Sequence, residues 1–248
     1  MFGNLTSAVP TSLRVGILGP EEAASSESRG CNLWATGYSA TVTAAGATAV
    51  PLGVSTSGRS WKDLLADIHG LVWTGRLRPG SPFTVEEDRL CKWCKKNRFP
   101  ILAVDDAMHV LNHSFGGTIH LDLPTERPEA LQHRHPPERG LRHAIEVPPG
   151  SVLASIYGEG ELVVNSEHRR GIAKVARGFR VSATALDGIV EAIESEDETW
   201  FAMGVQWRPA ATTASGLDIQ LFRGLIQAAD NRELANPKRA RAACPAAA

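Results

Sequence analysis

The sequence predicts an α/β fold, a mostly parallel sheet with helices on both faces. Three observations predict it. Runs such as Leu71-Val72-Trp73 and Ile101-Leu102-Ala103-Val104 are apolar throughout, as in strands buried on both faces, where a half-exposed strand would alternate. The stretches between such runs are rich in helix formers, several with apolar residues on one face. One apolar run also breaks off at Asp105-Asp106 and continues as Ala107-Met108-His109, the pattern of a strand, a sharp turn and a helix start. Strands alternating with helices build parallel sheets through crossover connections.

Taken in order, residues 13–19 (LRVGILG) read as the first strand. A polar loop rich in Glu, Ser and Gly follows to about Cys31, at the strand end where α/β proteins place ligand contacts. Residues 38–45 read as a helix, 47–52 as a strand, 61–68 as a helix and 71–73 as a strand. Thr84 suits the N-cap of a helix running to Arg98, with Glu86, Glu87 and Asp88 favourable in its first turn. The strand 101–104 and the helix 107–113 come next. Residues 125–141 carry Pro, Glu, Arg and His and read as a loop or lid. The run His133-Arg134-His135 within it reads as solvated rather than metal-binding.

Further strands are expected at 151–156, 162–164, 178–185, 189–194 and 201–206. The last helix, 215–231, has Leu217, Leu221, Phe222, Leu225 and Ile226 on one face. Residues 1–234 are expected to form a single domain, and 235–248, dominated by Ala, Pro, Lys and Arg, a disordered tail.

A chain of 248 residues with 43% apolar and 21% charged residues is an ordinary globular composition, long enough for one large α/β domain. Its net charge of −1 gives no electrostatic case for binding nucleic acid or a membrane surface. No apolar run approaches the ~20 residues of a membrane span, and the N-terminus lacks a charged-then-apolar leader pattern. A cytoplasmic location is therefore expected. Four cysteines make no disulfide framework at this size. Cys91 and Cys94 form a C-x-x-C inside the 84–98 helix. A redox pair needs the first cysteine at a helix N-terminus, and a zinc site needs two further ligands. Inner-face thiols are the expectation. No cofactor and no metal are expected, and the oligomeric state is open, a homodimer being one option.

The segment PILAVDDAMHVLN (100–112), with Gly116-Gly117-Thr118 and Asp122-Leu123-Pro124 after it, resembles the nucleophile elbow of class I glutamine amidotransferase-like proteins. The resemblance is closest to the gamma-glutamyl-gamma-aminobutyrate hydrolase (peptidase C26) family. Residues 38–52, His143-to-Leu153 (HAIEVPPGSVL), Val164-Asn165-Ser166-Glu167-His168, Asp187 to Glu194 (DGIVEAIE) and Gly204-Val205-Gln206-Trp207 are similar to further motifs of that family, in the same order. Together they cover roughly residues 13–210. The resemblance implies a flavodoxin-like three-layer sandwich and, in the family, a Cys-His-Glu triad.

Here the pattern departs. The elbow position that is cysteine in the family is Asp105. After Gln206-Trp207 the catalytic histidine position is Arg208, and the position of its orienting carboxylate is Ala210. The second glycine of the family's oxyanion-hole pair is Arg76, after Gly75. A thiolate triad needs a base to take the thiol proton, and an arginine stays protonated at physiological pH. The family's hydrolytic mechanism is therefore not expected.

Asp105, His168 and Glu167 are the candidate catalytic residues. Arg208 and Arg76 are the candidate anchors for an anionic group, and Gly75 and Ser166 further candidate substrate contacts. The leading reading is acid-base chemistry on a small amino-acid-like or anionic substrate, with Asp105 central. Condensation, cyclisation of the Pictet–Spengler type or elimination, in specialised metabolism, would each use a carboxyl group that alternates between acid and base. Two alternatives remain open. One is a non-catalytic pseudoenzyme that binds or regulates, with Asp105 and Arg208 as a structural ion pair. The other is a gamma-glutamyl amide hydrolase with Asp105 as nucleophile.

Overall fold

The computed structural model describes residues 13–19, 33–53, 60–77, 82–134 and 140–235. The expected polar loop before Cys31, and the expected tail beyond Ala235, lie outside these residues. In chain order the elements are β1 (Arg14–Leu18), α1 (Leu33–Ala44), β2 (Thr48–Leu52), α2 (Trp61–Leu64), β3 (Gly70–Trp73), α3 (Val85–Lys96) and β4 (Ile101–Val104). There follow α4 (Asp106–Ser114), β5 (Thr118–His120), α5 (Leu123–Glu126), β6 (Arg142–Val147), α6 (Val152–Tyr157) and β7 (Gly160–Asn165). β8 (Gly171–Lys174), β9 (Phe179–Ala185), β10 (Val190–Ser195), β11 (Ala202–Val205) and α7 (Ile219–Leu234) complete the fold.

The sheet runs β2-β1-β3-β4-β11-β10-β9-β6-β7. Its first five strands pair in parallel, and the rest continue antiparallel from β11 outward. Every residue of β3, β4 and β11 is buried. Alternate residues serve opposite layers. Leu102 and Val104 face a core with Val42 of α1 and Phe222 and Leu225 of α7. Ile101 and Ala103 face the other core, with Leu90, Cys91 and Cys94 of α3 and Met108 of α4. This is the predicted α/β sheet with helices on both sides, its parallel strands extended by antiparallel ones into a mixed sheet. Among the described residues no helix is long and apolar enough to cross a membrane.

α3 starts as its sequence requires. The Thr84 hydroxyl accepts from the Glu87 N–H at 3.2 Å, and Glu87 Oε2 accepts from the Thr84 N–H at 2.9 Å, a complete capping box. One element differs in kind from expectation. Residues 151–156 form helix α6 rather than a strand, because the Ser151 hydroxyl caps the Ala154 N–H at 2.9 Å after the Pro-Pro-Gly turn. The β-branched Val152 and Ile156 favoured a strand only locally. Strands β5, β6 and β8 were not predicted.

Candidate functional site at the Asp105 elbow

Asp105 joins β4 to α4 at the C-terminal edge of the parallel strands, the edge at which open α/β sheets bind ligands. Its φ of 56° and ψ of −125° lie where a non-glycine residue stores about 1–3 kcal/mol of strain. The backbone holds this turn from both sides. The Asp105 N–H donates to the Val205 carbonyl at 2.8 Å, extending the β4–β11 ladder by one residue, and its carbonyl accepts from the Met108 N–H at 2.9 Å, opening α4. The side chain does not cap the helix. The sharp reversal instead presents it to the residues that follow β11.

Three donors engage that carboxylate. Arg208 Nε and Nη2 donate to Oδ2 at 3.0 and 2.8 Å, and Gln206 Nε2 donates to Oδ1 at 3.1 Å. The remaining arm of the guanidinium, Nη1, donates to Glu167 Oε2 at 2.8 Å. Asn165 clamps the Arg208 backbone, accepting from its N–H and donating to its carbonyl, both at 3.0 Å. Burial works against the Arg208 charge, but Asp105 and then Glu167 outweigh it and raise the guanidinium pKa above its ordinary value. The group stays open: the side chains of Asp105, Glu167 and Arg208 are 17%, 35% and 42% exposed.

A second layer lies behind it. Gln206 Oε1 and His109 Nε2 are 2.8 Å apart, and His109 Nδ1 is 3.2 Å from Asp106 Oδ1. Because the Gln206 amide donates to Asp105, its oxygen is the acceptor and His109 Nε2 the donor. Burial pushes the Asp106 carboxyl up, but His109 and Arg170 together hold it below the usual range. Tyr38, buried on α1, has its phenol pushed above the ordinary value by burial and then by the Asp105 charge, so it remains protonated.

Asp105, Glu167 and Arg208 therefore meet as expected from the sequence. The other candidates do not join them. Arg76 is buried and bound to Glu87, Nε to Oε1 and Nη2 to Oε2, both at 2.8 Å, and also donates to the Pro82 carbonyl at 2.7 Å. The capping box turns the Glu87 carboxylate inward, and the Arg76 guanidinium neutralises it there; this is a structural pair rather than an anion anchor. His168 is buried, with its ring facing Glu191 and His133. Ser166 is fully buried and spends its hydroxyl on the His133 carbonyl at 2.8 Å. Gly75, at φ 148°, turns the chain after β3 without contributing a side chain.

Sequence reasoning passed over Gln206, Asn165, Tyr38 and His109. The first three lie in motifs that were read for fold alone. His109 had one available signal, its place three residues after Asp106, on the same face of a helix. His133 is also misplaced by the sequence, since it is buried rather than solvated.

A family model described as Peptidase C26 matches residues 84–210. Gamma-glutamyl-gamma-aminobutyrate hydrolase of Escherichia coli K12 is 35% identical over 141 residues, 54% of this chain and 55% of that protein. Protein NtpR of Enterococcus hirae is 34% identical over 136 residues, 54% of this chain and 56% of that one. The chain thus spans about half the length of these curated relatives. The crystal structure of a candidate GMP synthase component from Thermoplasma acidophilum matches with a TM-score of 0.61 at 17% identity, over 90% of this chain and 96% of that one. At that identity the likeness concerns the fold alone.

Proposed function

This chain belongs to the Peptidase C26 family of glutamine amidotransferase-like proteins, and from that membership we propose that its elbow receives a small, amine-bearing, amino-acid-like ligand and performs no thiol hydrolysis. The observation that carries the reading is the strained, partly exposed Asp105 held by Arg208. Strain of this kind persists where the surrounding structure enforces it, as at ligand sites. In this reading Asp105, Arg208 and Ala210 replace the family's Cys-His-Glu triad, so neither a thiolate nor a neutral base is left for amide cleavage.

The local charge favours an amine. Two carboxylates, Asp105 and Glu167, face a single guanidinium whose arms are already engaged by them. Gripping a ligand carboxylate would first require breaking that bridge, whereas an ammonium adds to it. Arg208 is therefore better placed to orient the two carboxylates than to anchor an anion. Calorimetric titration with gamma-glutamyl amides, free amino acids and simple amines tests this. Amine-bearing ligands should bind, N-acylated analogues should not, and Asp105→Asn or Glu167→Gln should weaken binding. Equal binding of the N-acylated analogues would overturn the reading, as would release of ammonia or amine at enzymatic rates.

A second reading is favoured by the 42% exposure of Arg208. A substrate carboxylate that draws this guanidinium outward would free Asp105 to act as a general acid and base in a condensation or cyclisation. Loss of such a group lowers the rate by about 10²–10⁴, so Asp105→Asn would then abolish turnover while leaving ligand affinity nearly intact. Nucleophilic attack by Asp105 has less support, because its contacts, Arg208 and Gln206, include no base.

A further inference from the structure

Four side chains from separate segments converge beyond the elbow: His133 from the connection after α5, His143 on β6, His168 after β7 and Glu191 on β10. One ligand atom from each lies within 4.8 Å of all the others. His133 Nδ1 is 3.2 Å from His143 Nε2 and 3.3 Å from Glu191 Oε1. The same carboxylate oxygen is 3.5 Å from His143 Nε2 and 3.3 Å from His168 Nε2. Glu191 is fully buried, and His133 and His168 are nearly so.

The outer nitrogen of every ring is already committed. His133 Nε2 faces Asp187 Oδ2 at 2.8 Å, His143 Nδ1 faces the Ala144 carbonyl at 3.1 Å, and His168 Nδ1 faces the Arg170 carbonyl at 2.8 Å. Carbonyls and carboxylates accept, so each outer nitrogen must carry the donated proton. The inner nitrogen of each neutral ring is then a lone pair. With all three rings neutral, three lone pairs and a carboxylate face one another with no donor among them. In keeping with this, His168 Nε2 and both Glu191 oxygens are buried without a hydrogen-bond partner. Such a cluster of acceptors calls for a cation at its centre.

We propose that His133, His143, His168 and Glu191 bind a divalent transition-metal ion, zinc by donor set and spacing. Zinc bonds to imidazole nitrogen and carboxylate oxygen of about 2.0–2.1 Å give a tetrahedron with edges of about 3.3–3.4 Å, and four of the six donor separations lie at 3.2–3.5 Å. Metal-bound histidines also characteristically donate their other N–H to a carboxylate or backbone carbonyl, which Asp187, Ala144 and Arg170 supply. The proposal departs from the expectation that this chain holds no metal. It ties together the segments next to Glu167, and the Glu191 carbonyl accepts from the Gln206 N–H at 2.8 Å, so it also braces the elbow from behind.

The test uses the full chain purified without a histidine tag, stripped with chelator and titrated with zinc sulfate. One zinc per chain at sub-micromolar affinity is expected, with a melting temperature that rises with free zinc. Cobalt in its place should give the intense visible absorption of a four-coordinate centre. Glu191→Gln and His133→Ala should each abolish the bound zinc and the zinc-dependent melting shift, whereas a Cys91→Ser/Cys94→Ser variant should keep both. A parent chain that takes up no zinc at micromolar concentration and melts identically with and without it overturns the proposal, and identifies the quartet as a proton-sharing network. Stoichiometric zinc retained by both Glu191→Gln and His133→Ala overturns it equally.

Discussion

Arg208 grips Asp105 through a single oxygen: Nε and Nη2 both donate to Oδ2, at 3.0 and 2.8 Å, leaving Oδ1 to the Gln206 amide. The pair is two-pronged on the arginine side and one-pronged on the aspartate side, so one carboxylate oxygen is held by a guanidinium and the other by a neutral amide.

The strength of this pair is measurable. With the arginine side chain 42% exposed, solvent screening limits the coupling to about 0.2–1 kcal/mol. A double-mutant cycle of Asp105→Asn and Arg208→Gln, followed by urea unfolding, should return a coupling in that range that shrinks as salt is raised. Zero coupling at low salt would mean that the two side chains do not pair in solution.

The buried pair of Arg76 and Glu87 should govern part of the acid sensitivity. Burial pushes the Glu87 carboxyl up, but hydrogen bonds from Arg76 and from the Thr84 and Leu77 backbone, with the guanidinium charge, bring it below its ordinary value. A carboxyl depressed in the folded state contributes stability that is present above the unfolded value of about 4.3 and is lost as pH falls through the folded value. Glu87→Ala leaves Arg76 buried without its counter-ion and should cost about 3–5 kcal/mol at pH 7. The penalty should shrink in urea unfolding repeated below pH 4; a constant penalty would contradict the assignment.

Gly204 on β11 is where α4 seats on the sheet. A Cβ there would stand 2.5 Å from Met108 Cγ. Overpacking of this kind costs about 1–3 kcal/mol. Gly204→Ala should lower the melting temperature and weaken ligand binding at the neighbouring elbow, and Met108→Ala should recover part of both losses. A Gly204→Ala protein as stable as the parent would show that α4 is not seated so closely.

Cys91 and Cys94 should be chemically silent. Burial pushes the Cys91 thiol up to about 12 and Cys94 well above its ordinary value, and the thiolate is the reactive species. Peptide mapping after iodoacetamide treatment should find neither residue alkylated in the native chain and both alkylated in urea. Rapid labelling of native Cys91 would refute the packing of α3.

The parallel half of the fold was legible because its strands are apolar on both faces and the turn at Asp105 punctuates them sharply. The antiparallel half was less so. β6 and β8 are partly exposed where β3, β4 and β11 are buried throughout, so their pairing partners define them more than their composition does. At the site, Asp105, Glu167 and Arg208 could be placed together because each sits in a motif whose position in the sheet is fixed. Arg76 misled because sequence places its backbone beside the elbow but does not show that Glu87, eleven residues on, would claim its side chain. The cluster of three histidines and Glu191 was hidden for a related reason: its members lie up to 58 positions apart in sequence, from His133 to Glu191, and the loop that brings in His133 is rich in Pro, Glu and Arg.

The bond from the Asp105 amide to the Val205 carbonyl also has a consequence in time. β4 and β11 pair in parallel across about a hundred residues of intervening chain, so the elbow is closed by the strand pairing most distant in sequence among the described residues. Such contacts carry the entropy of closing a long loop and form slowly. During synthesis, β1, β3 and β4 leave the ribosome well before their last parallel neighbour exists, with the free edge of β4 open to other partners. The strained turn can be enforced only after β11 docks, so the geometry of the elbow is assembled late in folding, and premature truncation before residue 205 would leave an apolar sheet edge exposed to aggregation.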